Sequence, residues 1–156
     1  MSEFRFEKIR VPAELSLAGG GAVPGTFFVA GSAFDHDGPE RVVDLLNGRA
    51  GFFPFQREDG STAQYNRGQV VFVTLGEGVD EARTDPGYTV AKHRRVSIRL
   101  STGATLTGTV PIYRPPGRDR LSDYAQTAEQ FRYLVTPQRT LLVNATHIVE
   151  LMELAD

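Results

Sequence analysis

Apolar and polar residues alternate along much of the chain with the two-residue period that is typical of β-strands. In one segment Ile98 and Leu100 are separated and flanked by polar residues, and Val, Ile, Phe and Thr are concentrated in similar segments. Glycine-containing stretches such as Gly19–Gly21 and Thr102-Gly103 lie between them, where a tight turn needs a residue that tolerates positive φ. The pattern predicts an all-β protein with short helical turns in its loops.

The same succession of segments occurs twice along the chain, in the same order. Three segments of the first half match three of the second: Ala13–Val29 with Ser97–Ile112, Glu40–Phe55 with Asp119–Leu134, and Tyr65–Leu75 with Val143–Glu153. Repetition of this kind indicates two diverged copies of one unit. We therefore predict a first repeat at 1–76, a Gly-rich and acidic linker at 77–91, and a second repeat at 92–156.

Two short motifs of the first repeat carry a family resemblance. The segment VVDLLN contains Asp44 and Asn47, and the segment NRGQVVFV contains Arg67 and Gly68. These motifs resemble those of Sm-like (LSm) domains, and the second repeat resembles uncharacterised bacterial Sm-like domains. The resemblance implies two tandem Sm-like five-stranded, strongly bent barrels. About 60 residues per copy are enough for such a barrel, whose closure protects strand edges.

The resemblance also implies a ligand pocket in the first repeat. In Sm-like domains the corresponding residues hold a base of single-stranded RNA, which nominates Asp44, Asn47, Arg67 and Gly68. An asparagine amide can read a base edge, and an arginine can stack on a base or meet a phosphate. The alternative interpretation is structural: Asp44 and Asn47 cap a short turn, while Arg67-Gly68 forms the turn between the last two strands.

Charge is distributed unequally between the two halves. The whole chain has a net charge of −2, which argues against a strong general affinity for nucleic acid. Residues 1–91 contain 8 Lys and Arg against 13 Asp and Glu, a net −5, whereas residues 92–156 contain 9 against 6, a net +3. The halves could attract one another within a chain or between chains; chance scatter of surface charge is the alternative.

A basic cluster lies at the start of the second repeat and in its Pro-rich loop. Arg94 and Arg95, together with Arg114, Arg118 and Arg120, could form a surface that binds an anion or a protein partner. The alternative is a set of solvated charges without a ligand.

Several classes of function are disfavoured by composition. The chain has no cysteine, which excludes disulfides and thiolate metal sites, and it has three histidines. Asp35-His36-Asp37 offers metal ligands in one loop, but a dedicated site needs further ligands from elsewhere. We find no catalytic constellation and predict no cofactor and no metal. No apolar run is long enough for membrane insertion and the N-terminus has no apolar signal core, so we expect a cytoplasmic protein.

These observations favour a non-enzymatic protein–protein interaction or scaffold module. The acidic loop Phe34–Glu40 and the loop Arg114–Arg120 would present its contact surface. The alternative function is binding of single-stranded RNA or a nucleotide through the first repeat. Sm-like subunits join by pairing of edge strands, so the resemblance also suggests a homo-oligomer; in a tandem chain the two copies could instead satisfy that pairing internally or build a ring of fewer chains.

Overall fold

The computed structural model describes residues 8–33, 38–48, 51–84, 87–112, 120–126 and 129–155. Within these residues the chain forms ten strands and two short helices. The strands are β1 (Lys8–Leu17), β2 (Ala22–Ala30), β3 (Phe52–Arg57), β4 (Thr62–Asn66), β5 (Val70–Leu75), β6 (Lys92–Leu100), β7 (Thr105–Ile112), β8 (Phe131–Val135), β9 (Thr140–Asn144) and β10 (Ile148–Glu153). The helices are α1 (Val42–Leu46) and α2 (Leu121–Ala125), and 3₁₀ turns occupy Arg67–Gln69 and Ala145–His147.

The prediction of an all-β protein is confirmed, but the predicted closure of each five-stranded repeat into a barrel is corrected, because the sheet is not closed. The strands form one antiparallel sheet in the order β10-β6-β7-β8-β9-β5-β1-β2-β3-β4, which leaves β10 and β4 as its edges. The two halves meet where β5 pairs with β9, from Phe72 opposite Val143 to Thr74 opposite Leu141. The alternation of apolar residues indicates which face of a strand is buried, but it does not indicate which strands lie beside it in the sheet. The sequence therefore could not predict that β5 pairs with β9.

The order of elements in β1–β5, which we call the first set, recurs in β6–β10, the second set. Each set runs strand, strand, short helix, strand, strand, 3₁₀ turn, strand. The first hairpin of the second set turns at Gly103, which has φ 91°, a conformation that side-chain-bearing residues rarely adopt.

Both short helices begin in the same way. The backbone N–H of Arg41 donates to the Asp44 carboxylate at 2.9 Å, and that of Arg120 donates to Asp123 at 3.1 Å. An acidic residue in the first turn also lies close to the free backbone N–H groups of a helix start. Asp44 therefore caps the helix, as the structural interpretation of its motif predicts.

The two sets share their hydrophobic cores. The core of the first set is built around Phe27, Phe53 and Phe55, and it also contains Phe131, Tyr133, Val135 and Leu142 from the second set. The core of the second set in turn contains Val71, with Phe72 packed against it. Since each set buries side chains of the other, neither core is complete without the β5–β9 pairing.

The close approach of β2 to β3 requires a glycine at position 25. A Cβ atom added to Gly25 would overlap the carbonyl oxygen of Gln56 and lie 2.6 Å from the ring of Phe55. We expect Gly25→Ala to lower the free energy of unfolding by about 1–3 kcal/mol because the two strands must move apart. Urea denaturation measures this. Gly19→Ala is the control, since nothing lies within 4 Å of its added Cβ; equal effects of the two substitutions would contradict the prediction.

Candidate functional site

The Arg67 side chain is directed into the protein. Its Nη2 donates to the carbonyl of Leu45 at 2.7 Å, its Nε to that of Leu46 at 2.8 Å and its Nη1 to that of Phe52 at 3.0 Å. Arg67 is buried, its guanidinium lies over the ring of Phe53 at 5.8 Å, and this burial lowers its pKa from the ordinary value. The guanidinium thereby ties the end of α1 to the start of β3.

Asn47 joins the two sets. It follows α1, its Nδ2 donates to the carbonyl of Phe131 at 3.0 Å, and its Oδ1 accepts from the N–H of Phe131 at 2.7 Å. Both ends of one amide are thus bonded to both backbone groups of a single residue at the start of β8. An asparagine amide recognises a base edge in the same way, by donating one hydrogen bond and accepting another. Here both bonds are made to the backbone of Phe131 in the same chain.

Gly68 and His147 form a second polar contact between the sets. The Gly68 carbonyl lies 2.7 Å from His147 Nε2, and His147 Nδ1 lies 2.7 Å from the hydroxyl of Ser101. The backbone N–H of Ser101 also donates to the carbonyl of His147 at 2.8 Å. The imidazole therefore connects the first 3₁₀ turn to the hairpin between β6 and β7.

Asn144 is a junction residue that the sequence does not reveal. Its side chain is fully buried, and its Nδ2 donates to the carbonyls of Arg67 at 3.1 Å and Val70 at 2.9 Å. Its Oδ1 accepts from the N–H of Thr146, which caps the second 3₁₀ turn. Asn66 caps the first 3₁₀ turn in the same manner, through the N–H of Gly68, but it is exposed. The match between the two asparagines was visible in the sequence, whereas their difference in environment was not.

Glu81, in the segment 77–91, is a buried carboxylate that contacts both sets. It accepts hydrogen bonds from the N–H groups of Val42 at 2.6 Å and Val43 at 3.0 Å, and from the Tyr133 hydroxyl at 2.8 Å. Burial raises the pKa of Glu81, and the three donated bonds oppose that shift without cancelling it. The segment predicted to be a linker is therefore fastened to α1 and to β8 through this residue.

The arginines of the predicted basic surface have different environments. Arg94 lies on β6 and forms an ion pair with Glu153 at 3.4 Å, while Arg95 and Arg120 are exposed, the latter at the start of α2. Arg114 and Arg118 lie outside the described residues. Residues 34–37, which include Asp35-His36-Asp37, also lie outside them.

The ion pairs between described residues lie within each half of the chain. Each of these four ion pairs joins two residues of the same half: Arg41–Asp44, Arg83–Asp80, Arg94–Glu153 and Arg99–Glu150. Contacts between the halves are hydrogen bonds and apolar packing.

Exposed apolar side chains lie on β10 and on β3, which is next to the outer strand β4. Phe52 on β3, which pairs with Asn66 of β4, is 55% exposed, and Val149 and Met152 on β10 are 59% and 51% exposed. Strand β4, with the sequence TAQYN, contains no charged residue and no proline, whereas β10 carries two glutamates. Edge strands of soluble proteins are usually protected by charged residues, by proline or by a covering element. The β4 edge therefore has the character of a contact surface, and β10 combines exposed apolar residues with charge.

A cleft of about 600 Å³ lies at the ends of β1, β2, β3 and β5. Its lining includes the charged residues Glu14, Arg57, Glu58 and Arg139. Small-molecule sites are predominantly apolar, so this charged lining favours solvent. In the part of the chain that the structure covers, no three His, Asp or Glu side chains converge on a metal position. No helix there is long and apolar enough to cross a membrane.

Comparison of the chain with protein-family models, curated proteins and solved structures found no match. The site is therefore interpreted from its geometry alone. The structure places Asn47, Arg67 and Gly68 at the junction of the two sets, where they bond to Phe131, Asn144 and His147, whereas Asp44 caps α1 within the first set.

Asn144→Ala and Asn66→Ala form a matched pair that measures the junction. Both remove a 3₁₀ cap, but Asn144→Ala also leaves the buried carbonyls of Arg67 and Val70 without their donor. We expect Asn144→Ala to lower the free energy of unfolding by about 1–3 kcal/mol more than Asn66→Ala. Chemical denaturation of both variants gives the difference. Equal losses would mean that these two bonds do not stabilise the junction.

Removal of the Glu81 carboxylate is expected to loosen the segment 77–91. Glu81→Ala removes the acceptor of the N–H groups of Val42 and Val43, so we expect a loss of about 1–3 kcal/mol. Thermal unfolding is the measurement, with Glu77→Gln at an exposed position of the same segment as control. No loss in Glu81→Ala would contradict the role of this residue.

The contribution of Glu81 to the stability of the folded protein depends on pH. Because its folded pKa is raised, the folded protein binds more protons than the unfolded chain between the ordinary and the raised value. The stability contributed by Glu81 therefore falls as pH rises through that window. Measured against Glu81→Gln, the relative stability of the unmodified protein should decrease over the same interval; a relative increase would overturn the assignment.

Proposed function

We propose that this chain is a non-enzymatic interaction module that recruits a protein partner by strand pairing at the edges β4 and β10. The observation that carries the proposal is that β4 and β10 are the outer strands of the described sheet, with exposed apolar side chains of Phe52 on the neighbouring β3 and of Val149 and Met152 on β10. An edge strand offers a row of backbone donors and acceptors to which an extended strand can bind, while neighbouring side chains supply specificity. The β5–β9 pairing shows that this sheet already extends itself in that way.

The Sm-like resemblance of each half is part of the same proposal. In the sheet order the last strand of each set lies beside the first, as β5-β1-β2-β3-β4 and β10-β6-β7-β8-β9. Each set also has its short helix between its second and third strands. This recurrence supports a tandem pair of five-stranded Sm-like units that share one sheet.

The contacts of the candidate base pocket favour this function over RNA binding. The Asn47 amide is occupied at both ends by Phe131, and the Arg67 guanidinium is occupied by three carbonyls. A base could use these groups only by displacing bonds that hold the fold together. The net charge of −2 also gives RNA no general attraction.

His147 has a structural role in this proposal. A hydroxyl bonded to an imidazole also occurs in nucleophilic serine sites. Here, however, Ser101 lies in a tight turn whose backbone is bonded to the same histidine, and the other ring nitrogen faces the Gly68 carbonyl. These contacts connect three segments of chain, which favours a role in holding the junction.

Retention of partners on immobilised protein tests the proposal. The unmodified protein should retain at least one protein, identical or different, from a lysate of the cells that make it. The double variant Phe52→Asp with Val149→Asp should retain at least tenfold less, because it places one carboxylate on β3 beside the β4 edge and another on β10, where each opposes burial. Val90→Asp is the matched control, since Val90 is 86% exposed in the turn before β6. Equal retention by the double variant and the unmodified protein would sink the proposal.

A further inference from the structure

We infer that Ser101 is a site of covalent acylation, at which its hydroxyl oxygen takes an acyl group from an activated ester while His147 acts as the base. This inference goes beyond the proposed function and does not depend on it. Ser101 lies in the turn between β6 and β7, and it is exposed together with the other residues of that turn. An ester can therefore reach its hydroxyl from solvent.

The two contacts of the His147 ring determine which of its nitrogens is the base. The Gly68 carbonyl, 2.7 Å from Nε2, can only accept a hydrogen bond, so Nε2 carries the proton of the neutral ring. Nδ1 then has a free lone pair, to which the Ser101 hydroxyl donates at 2.7 Å. A nucleophile bonded to a base that a third group orients is the arrangement that activates serine hydroxyls. The contact that holds the junction therefore also holds the imidazole in position to act on Ser101.

The first set shows that the turn forms without this pair of side chains. Ala18 follows the first strand of its set as Ser101 does, and Gln69 ends its 3₁₀ turn as His147 does. The backbone bond is the same in both sets: Ala18 N–H donates to the Gln69 carbonyl at 2.8 Å, and Ser101 N–H donates to the His147 carbonyl at 2.8 Å. Since alanine keeps this bond, the hydroxyl and the imidazole are additions that the turn itself does not require.

The backbone beside Ser101 offers a donor for the oxygen that becomes negative during attack. The N–H of Thr102 makes no hydrogen bond to any other residue that the structure describes. In α/β hydrolases the N–H of the residue after the nucleophile is one of the two donors to that oxygen. Thr102 has this place in the chain, so its N–H is free to stabilise the tetrahedral intermediate. With one such donor we expect a single slow modification and no rapid turnover.

The reaction transfers an acyl group and involves no redox change. The Ser101 oxygen forms a bond to the carbonyl carbon of the ester while His147 Nδ1 takes the hydroxyl proton. The bond between that carbon and the leaving oxygen then breaks, and the imidazolium gives the proton to the leaving oxygen. The products are the O-acyl serine and a free alcohol or phenol. Acylated Ser101 has no hydroxyl proton and no longer donates to His147.

Ser61 provides a comparison within the same molecule. It is exposed at the end of the turn between β3 and β4, and its hydroxyl donates to the Asp59 carboxylate at 2.5 Å. Accepting bonds from Ser61 lowers the pKa of Asp59, so this carboxylate is a weak base. The two serines therefore share exposure and a turn position, and they differ in the group that can take the hydroxyl proton.

Site-resolved labelling of the full chain with p-nitrophenyl acetate tests the inference. The protein is digested after increasing times, and mass spectrometry measures the acetyl group on each serine. We expect Ser101 to be acetylated faster than Ser61 by about tenfold or more, because an imidazole takes its proton. Equal rates at the two serines would overturn the inference, and this comparison needs no variant.

Two substitutions of His147 distinguish a base from a hydrogen-bond partner. His147→Gln places an amide nitrogen near the position of Nε2, where it can keep the bond to Gly68, and it introduces the residue that the first set has. His147→Asn places an amide oxygen near the position of Nδ1, where it can still hold the Ser101 hydroxyl. Neither amide takes a proton, so both variants should acetylate Ser101 about tenfold more slowly or less. Undiminished acetylation in His147→Asn would mean that His147 is not the base.

Thr146→Ala is the matched control, since Thr146 is an exposed neighbour of His147, and Ser101 should react in it as in the unmodified protein. Ser101→Ala carries the residue of the first set, so it should fold and lack one equivalent of p-nitrophenol release per chain. Release that continues beyond this equivalent and disappears in Ser101→Ala would overturn both the single modification and the non-enzymatic function. Failure of Ser101 to react would leave the capture of a protein partner unaffected.

Discussion

β5 and β9 lie side by side in the middle of the sheet, and their pairing turns two sets of five strands into one structure. Without it, Val71 would leave the core of the second set and Phe131 would leave the core of the first. Full burial of such side chains contributes about 1.5–3 kcal/mol each. A set on its own would therefore lose apolar burial and expose a strand edge at the same time. We conclude that the two sets fold as one unit.

The hydrogen bonds across the β5–β9 joint determine its register more than they add to the free energy of folding. A buried hydrogen bond adds little net free energy, but a buried group without its partner is costly. Within the described residues no buried side-chain nitrogen or oxygen lacks a partner. A register shifted by one residue would leave the amides of Asn47 and Asn144, which bond across the two sets, unmatched. These groups therefore exclude alternative pairings of two similar edges.

The sequence predicted the elements and missed their neighbours. Strand alternation indicated an all-β fold, and the match of Asp44 with Asp123 fell on the two helix starts. The sequence could not show that the repeats share one sheet that is not closed. The alternation of a strand is the same whether it pairs with a strand of its own repeat or of the other repeat. Glu81 appeared as one acid in a Gly-rich linker, although three donors converge on it. Asn47 matched a pocket motif, but the partner that its amide binds is 84 residues further along the chain.

The tandem arrangement makes the β5–β9 joint a contact within one chain. It therefore forms at the high effective concentration set by the segment 77–91. Corresponding residues of the two sets differ where only one of them serves this joint. Asn47 serves the internal joint, while Gln126, one methylene longer, follows α2 at the corresponding place. Leu142 is buried beside β5, while its counterpart Gln64 is exposed on β4. The outer strand β4 is therefore less apolar than β9, its counterpart inside the sheet.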